Sequence, residues 1–226
     1  MNETFEIDLS AAGRRIHWLY PWLLLVGTLC LLLYLFADRP LAAQCATLPG
    51  EFKWWAGLVG SLGNSAFSLV PGIPAFLWLR RAAGRAGVLE QIERLRRQQQ
   101  RISFLLTTVI ASGLTTDLLK VLCGRPRPKV FFGQHLYSFS FMEFSVKMWS
   151  FPSGHATTIF ATMTACYLLF PRYRLAWFSL AALVAICRVL VGAHFPSDVV
   201  VGAFIGTTTA VLVKDYFQAR RLLEFP

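Results

Sequence analysis

The chain has 226 residues, of which 55% are hydrophobic and 15% are charged, and its mean hydropathy is +0.52. A soluble domain carries about 25% charged residues, so this composition excludes an ordinary soluble fold and indicates a membrane protein. The net charge of +10 does not indicate nucleic-acid binding, because the basic residues mostly fall in short segments between apolar runs, as in membrane proteins that follow the positive-inside rule.

Six apolar runs predict an all-α integral membrane bundle of six transmembrane helices, because each is close to the roughly 20 residues that a bilayer requires. In chain order the runs cover residues 18–36, 54–79, 102–121, 154–170, 175–191 and 196–217. In the second run, Pro71, Gly72 and Pro74 predict a kink. We expect a single membrane-embedded domain over residues 1–226, with both termini on one side of the membrane.

The segment 80–101 carries seven arginines and is the strongly basic part of the chain. Val88, Ile92 and Leu95 recur at helical spacing, which allows an amphipathic helix on the membrane surface. A solvated loop that fixes the topology is the alternative that we prefer. The side with this segment and both termini holds fourteen of the 22 lysines and arginines, so the positive-inside rule makes it the cytoplasm.

Three polar stretches reach the other side of the predicted bundle. Residues 120–128 follow the third run, residues 151–155 precede the fourth, and residues 188–198 join the fifth run to the sixth. Three unrelated helix ends would not need to lie on the same side of the membrane. Their agreement therefore indicates one functional site, which would face the periplasm of a bacterial inner membrane.

The residue types in these stretches suit a phosphate group. Lys120, Arg127 and Arg188 supply three cations, and arginine matches phosphate oxygens with a planar fork. Ser153 and Gly154 come before a helix, where unpaired N–H groups attract anions and glycine permits close approach. The alternative for each cation singly is a side chain that extends to the lipid headgroups.

Two histidines and an aspartate indicate phosphoryl transfer. His194 and Asp198 are four residues apart across a helix start, so the carboxylate could hold one ring nitrogen and leave the other free. A neutral imidazole held in this way is a nucleophile toward phosphorus. His155 is then the proton donor to the leaving oxygen. No carboxylate cluster accompanies these residues, so the sequence predicts neither a metal nor another cofactor.

Together the three stretches resemble the signature of the type 2 phosphatidic acid phosphatase superfamily. That signature reads Lys, six residues, Arg-Pro; then Pro-Ser-Gly-His; then Ser-Arg, five residues, His, three residues, Asp. Every spacing matches within residues 120–198, but Cys187 stands where the family usually has serine. The resemblance implies a phosphohistidine at His194, orientation of that ring by Asp198, a general acid at His155 and no metal.

The predicted function is hydrolysis of a phosphomonoester or diphosphate of a membrane lipid at the periplasmic face. The candidate substrates are undecaprenyl diphosphate, phosphatidylglycerophosphate, phosphatidic acid and the lipid A phosphates. A phosphotransferase with the same phosphohistidine is the alternative. A non-enzymatic lipid binder or transporter is less favoured, because binding alone needs no nucleophile. The predicted partners are this lipid and the bilayer, without nucleic acid, and the oligomeric state stays open.

Residues beside the motifs leave two further questions. Arg125 and Lys129 flank the first motif, where they could reach a second phosphate or a sugar headgroup; contact with anionic lipid is the alternative that we prefer. Cys45 and Cys123 both fall in predicted outer loops, so a disulfide between them is possible.

Overall fold

The computed structural model describes residues 17–226, so the predicted cytoplasmic segment 1–15 lies outside the described residues. About 78% of the residues are helical, which confirms the all-α prediction. In chain order the α-helices are α1 (Leu19–Leu32), α2 (Asp38–Ala46), α3 (Gly50–Ser61), α4 (Ala66–Arg85), α5 (Leu89–Leu122), α6 (Pro128–Gln134), α7 (Gly154–Leu169), α8 (Arg174–Leu190) and α9 (Pro196–Ala219). The shorter elements are a π-helical turn (Leu33–Ala37), two 3-10 turns (Val146–Met148 and Pro171–Tyr173) and two strands, β1 (Cys123–Gly124) and β2 (Ser140–Phe141).

Within residues 17–226, five helical stretches are long and apolar enough to cross a membrane. They cover Leu19–Ala46, Gly50–Arg85, Leu89–Leu122, Pro171–Leu190 and Pro196–Ala219. The fourth predicted crossing is α7, which has 16 residues. At a rise of about 1.5 Å per residue, it falls short of the ~30 Å hydrocarbon layer. The crossing at residues 154–170, and with it the total of six, therefore stays a prediction.

The second apolar run is interrupted at a different place from the expected kink. Pro71 and Pro74 lie inside α4, which continues through them, and the interruption falls at residues 62–65 between α3 and α4. There the side-chain oxygen of Asn64 accepts a hydrogen bond from the N–H of Ala66 at 2.9 Å. Asparagine stabilises turns by such local bonds, which compete with the helical pattern.

The basic segment is largely helical and continuous with the third crossing. Helix α5 has 34 residues, and only residues 86–88 separate it from α4. Neither the solvated loop nor a separate surface helix is present. The physical reason is that residues 89–101 contain no glycine or proline, and Arg, Gln, Glu and Leu are good helix formers. At about 1.5 Å per residue, α5 is about 50 Å long.

Helix α7 packs against α9 through small residues of α9. A Cβ atom at Gly202 would lie 2.6 Å from the carbonyl oxygen of Ser153, and one at Gly206 would collide with the backbone of Thr157. Glycines at such points let two helix backbones approach closely, which membrane helices use to associate. The hydroxyl of Thr157 also accepts a hydrogen bond at 3.0 Å from Thr116 on α5. These contacts fix the starts of α7 and α9, where two of the motifs lie.

The loop between α5 and α7 contains the β1–β2 pair, in which Cys123 lies opposite Phe141 and Gly124 opposite Ser140. The N–H of Arg125 donates to the carbonyl of Met148 at 2.5 Å, so the loop returns beside the first motif. Both Cys45 and Cys123 are free thiols, and the disulfide considered from the sequence is not formed.

Candidate active site

The structure brings the three motifs together at one end of the bundle, here called the motif end. Lys120 lies in the last turn of α5, and a Cβ atom at Gly154 would lie only 2.9 Å from its Nζ. The N–H of Ser153 donates to the carbonyl of Asp198 at 3.0 Å, which joins the second motif to the third. Ser153 also caps α7, because its hydroxyl accepts from the N–H of Ala156 at 3.4 Å.

His194 lies in the loop between α8 and α9 and is 3% exposed. Its Nδ1–H donates to the backbone carbonyl of Ser150 at 2.7 Å. A carbonyl can only accept, so Nδ1 carries the proton and the lone pair of Nε2 is free. The ring is therefore held in the tautomer that a nucleophile requires.

Asp198 does not hold the His194 ring directly, which differs from the predicted arrangement. Its Oδ2 lies 3.9 Å from Nδ1 of His194, beyond hydrogen-bond distance. Instead, Oδ2 accepts from the hydroxyl of Ser150 at 2.6 Å and from the N–H of Phe195 at 2.8 Å. Asp198 therefore acts on His194 through Ser150, whose carbonyl orients the ring. The direct bond is absent because the Ser150 carbonyl already occupies Nδ1.

Arg125 lies between two buried carboxylates. Its Nη1 donates to Oδ1 of Asp198 at 2.5 Å and to Oγ of Ser197 at 2.7 Å, and its Nη2 donates to Oδ2 of Asp38 at 2.8 Å. All four side chains are fully buried. Burial alone would lower the pKa of Arg125, but the charges of Asp198 and Asp38 outweigh it and raise that pKa. Arg125 thus contacts neither a headgroup nor surface lipid, and both interpretations of it from the sequence are wrong.

Asp38 is a member of this network that the sequence analysis missed. It follows the first apolar run and begins α2, and it accepts hydrogen bonds from both the N–H and the hydroxyl of Ser197. An aromatic ring from Phe195 covers the guanidinium of Arg125 at 4.3 Å, and Tyr34 lies on another side at 5.0 Å. The available signal was a lone carboxylate at the end of an apolar run, which is rare without a buried partner.

Burial and charge keep His194 neutral. Burial lowers its pKa well below the ordinary value of 6.5, and the nearby cations Arg127 and Arg188 lower it further. A positive ring would be poorly solvated and would repel both guanidinium groups. At neutral pH, Nε2 of His194 is therefore an unprotonated nitrogen.

The three predicted cations all lie near His155, and two of them, Arg127 and Arg188, also lie near His194. Arg127 and Arg188 each have a buried Nε with no hydrogen-bond partner among the described residues, as does Arg125, whose Nη atoms are held by carboxylates. Such donors are uncommon, because leaving one unsatisfied costs about 1–3 kcal/mol, and a phosphate oxygen would satisfy them. Arg188 lies against Gly60, where a Cβ atom would approach its Cδ to 3.1 Å. Nζ of Lys120 makes an ion pair of 2.9 Å with Asp117.

A cavity of about 200 Å³ opens beside Lys120 and His155, between α5, α7 and the turn before α4. Polar groups from Asn64, Asp117 and Thr158 line it. Nowhere in residues 17–226 are three His, Cys, Asp or Glu side chains grouped as metal ligands. Of the three predicted cations, Lys120 lines this cavity.

A neutral buried histidine beside Arg127 and Arg188, at one end of an apolar helical bundle, is typical of a phosphoryl-transfer site in a membrane protein. The chain belongs to the PAP2 superfamily, whose family profile matches residues 101–222 and so includes all three motifs. This confirms the resemblance found in the sequence, and the protein is an enzyme of the phosphatase type.

Two curated relatives match most of the chain. A protein named lipid A 1-phosphatase from Rhizobium johnstonii is 37% identical over 194 residues, covering 84% of this chain and 77% of its own. One of the same name from Rhizobium etli is 36% identical over 213 residues, covering 92% and 88%.

Two solved structures share the fold. The crystal structure of LpxE from Aquifex aeolicus has a TM-score of 0.57 at 20% identity, covering 79% of this chain and 95% of that chain. A PAP2-type phosphatidylglycerolphosphate phosphatase from Bacillus subtilis has a TM-score of 0.53 at 16% identity, covering 87% and 96%.

Proposed function

We propose that this protein is a lipid phosphatase that removes a phosphate group from a membrane lipid through a phosphohistidine at His194. The observation that carries the proposal is the tautomer of His194. Its Nδ1–H is bound to the Ser150 carbonyl at 2.7 Å, so Nε2 is free to attack phosphorus. The buried, unsatisfied Nε atoms of Arg127 and Arg188 support a phosphate beside it.

The reaction has two steps. In the first, Nε2 of His194 forms a bond to phosphorus while the ester P–O bond breaks. His155, protonated beside the negative charge of the bound phosphate, gives its proton to the leaving oxygen. In the second, His155 takes a proton from water, whose oxygen attacks phosphorus and releases inorganic phosphate and neutral His194. Lys120, Arg127 and Arg188 stabilise the negative charge on the transferring group in both steps.

The favoured substrate is a phosphate on a sugar of a lipid A-like glycolipid. The two relatives named lipid A 1-phosphatase, each covering more than three quarters of both chains, support this choice. The cavity beside Lys120 also supports it, because Asn64, Asp117 and Thr158 offer hydrogen-bonding groups that suit sugar hydroxyls.

We infer that the enzyme lies in the bacterial inner membrane with the motif end at the periplasm and both termini in the cytoplasm. The distribution of basic residues supports this orientation. Fourteen of the 22 lysines and arginines belong to the predicted cytoplasmic side, and the motif residues account for three of the other eight. The phosphorylated headgroup would then come from the outer leaflet.

The test measures inorganic phosphate released by the purified full chain from lipid A, phosphatidic acid, phosphatidylglycerophosphate and undecaprenyl diphosphate. We expect the highest kcat/KM for lipid A. His194→Ala should lower kcat by about 10⁶-fold, as for the lost nucleophile of a catalytic triad. His17→Ala is the matched control, since His17 is exposed at the start of the described chain.

Acid-labile radioactive phosphate on the parent protein, absent from His194→Ala, would support the covalent step. Activity of His194→Ala within tenfold of the parent would contradict the proposal. Transfer of the phosphate to an added lipid acceptor, without release to water, would instead identify a phosphotransferase.

A further inference from the structure

Three arginines face a second cavity at the end of the bundle opposite the motif end. This cavity of about 380 Å³ is lined by Arg97 and Arg101 of α5 and by Arg221, which follows α9, and these three cations outnumber the one carboxylate in the lining, that of Glu224. Arg97 and Arg101 are four residues apart and so share one face of the helix. None of the three makes an ion pair with a carboxylate in residues 17–226.

Residues 220–226, here called the C-terminal segment, pack against α5 and α9 and so fix the position of this cavity. Leu223 is 6% exposed and packs with Phe104 of α5 and Phe217 of α9. The ring of Phe225 meets Phe104 edge-on at 4.9 Å. Arg221 lies between α9 and these anchored residues, in a left-handed backbone conformation with φ of 52°. The three guanidinium groups are therefore brought to one cavity by packed structure.

An apolar groove of about 430 Å³ adjoins the arginine cavity, and Arg101 lines both. The groove runs between α4, α5 and α7, where its apolar residues include Pro71, Ala75, Ile102 and Leu169. The guanidinium of Arg101 lies 5.8 Å from the ring of Phe170, at the limit of the groove. A strongly basic cavity is thus joined to an apolar one at a single side chain.

We propose that the two cavities together bind an anionic phospholipid that is not the substrate. Its phosphate group would lie among Arg97, Arg101 and Arg221, because arginine forks match phosphate oxygens. One acyl chain would lie in the groove, where burial of apolar surface stabilises it. A free phosphate ion would use the arginines but leave the groove empty.

The proposed lipid is separate from the catalytic site. His155 lies in the first turn of α7 and Phe170 directly after its last turn, which places the two about 22 Å apart along the helix. Between them, the hydroxyls of Ser68 and Thr162 meet at 3.2 Å where the groove begins. A lipid here would join α4, α5, α7 and the C-terminal segment, and so stabilise the bundle.

The experiment titrates phosphatidylglycerol into the purified full chain in a neutral detergent and follows the melting temperature. This lipid is a phosphodiester, so a site for phosphomonoesters does not consume it. We expect a saturable rise, and an apparent affinity about tenfold lower in Arg101→Gln and in the double variant Arg97→Gln, Arg221→Gln. Arg96→Gln is the matched control, because Arg96 is exposed on α5 and lines neither cavity.

A second arm separates lipid from free phosphate. Inorganic phosphate can also bind the catalytic site as product, so its effect is compared between the parent and Arg101→Gln, which should respond equally. Ala75→Phe, which fills the groove, should weaken the response to phosphatidylglycerol. If Ala75→Phe does not fold, Ala75→Leu takes its place.

Three results would overturn the proposal. An equal loss of affinity in Arg96→Gln would assign the effect to diffuse charge. If Arg101→Gln weakened the response to inorganic phosphate as much as the response to phosphatidylglycerol, free phosphate and not a lipid would be the ligand of the arginine cavity. If Ala75→Phe left the response to phosphatidylglycerol unchanged, no acyl chain would occupy the groove.

Discussion

Replacing Arg125 with methionine tests the buried network most directly, because it removes the cation between Asp38 and Asp198. Three hydrogen bonds, of 2.5, 2.7 and 2.8 Å, are lost, and two fully buried carboxylates lose their counter-charge. Removal of one partner from a buried ion pair destabilises a protein by about 3–5 kcal/mol. For a chain of this length, each kcal/mol lowers the melting temperature by about 2–4 °C. We therefore expect a decrease of about 6–20 °C for Arg125→Met.

The assay has two parts, both on the purified full chain in detergent. The melting temperature is measured first, and lipid phosphatase activity is then measured at a temperature at which parent and variant are both folded. Activity should still be reduced mainly in kcat, because Asp198 and Ser150 no longer hold His194 in one orientation. Lys129→Met is the matched control, since Lys129 is also a cation beside the first motif but is exposed.

Two results would refute this account of Arg125. A melting temperature equal to that of Lys129→Met would show that the ion pairs do not stabilise the fold. A rise in KM with unchanged kcat would mean that Arg125 binds substrate. Asp38→Asn offers a further comparison: it should be milder than Arg125→Met, because Arg125 and Asp198 still neutralise each other.

Four further predictions concern the candidate site, the contact between α7 and α9, and metal dependence. Burial and the nearby cations lower the pKa of His194 well below 6.5. Activity should therefore persist as the pH falls to 6.5 and decline only below it. An acidic limb of kcat/KM above pH 6.5 would contradict a neutral His194. Gly154→Ala places a Cβ atom 2.9 Å from the flexible amine of Lys120, so kcat/KM should fall about tenfold at an unchanged melting temperature, as expected for a displaced charge-assisted contact. Gly202→Ala instead places a Cβ atom 2.6 Å from the backbone carbonyl oxygen of Ser153 and should lower the melting temperature. A lowered melting temperature in Gly154→Ala, with an unchanged one in Gly202→Ala, would refute these contacts. EDTA should leave phosphate release intact, and complete loss that a divalent ion restores would reveal a required metal.

The sequence predicted which residues meet at the motif end, because helix counting determines the side on which each segment emerges. Lys120, His155 and His194 all follow this rule. The partners of Asp198 could not be predicted in the same way. Arg125 lies 73 residues from Asp198 along the chain and 87 from Asp38, and no local period relates such positions.

The orientation of His194 depended on a group without a sequence signature. Every residue has a backbone carbonyl, so nothing marked that of Ser150 as the acceptor for Nδ1. The spacing of His194 and Asp198 allowed a direct bond, and the structure satisfies both side chains differently. The start of α5 was also hard to predict. Residues 89–101 are charged, which suggested a loop, but they are strong helix formers and extend the helix beyond the apolar run.

The network around Arg125 also constrains how the chain is made. Asp38 belongs to the first helical segment, whereas its partner Ser197 comes 159 residues later. At roughly 5–20 residues per second of synthesis, about 8–32 s pass between the synthesis of Asp38 and that of Ser197. During that interval a carboxylate at the end of an apolar helix has no buried partner from α9. The candidate site therefore assembles only after the final helix has formed, and a nascent chain arrested before Ser197 would expose these charges to the insertion and quality-control machinery.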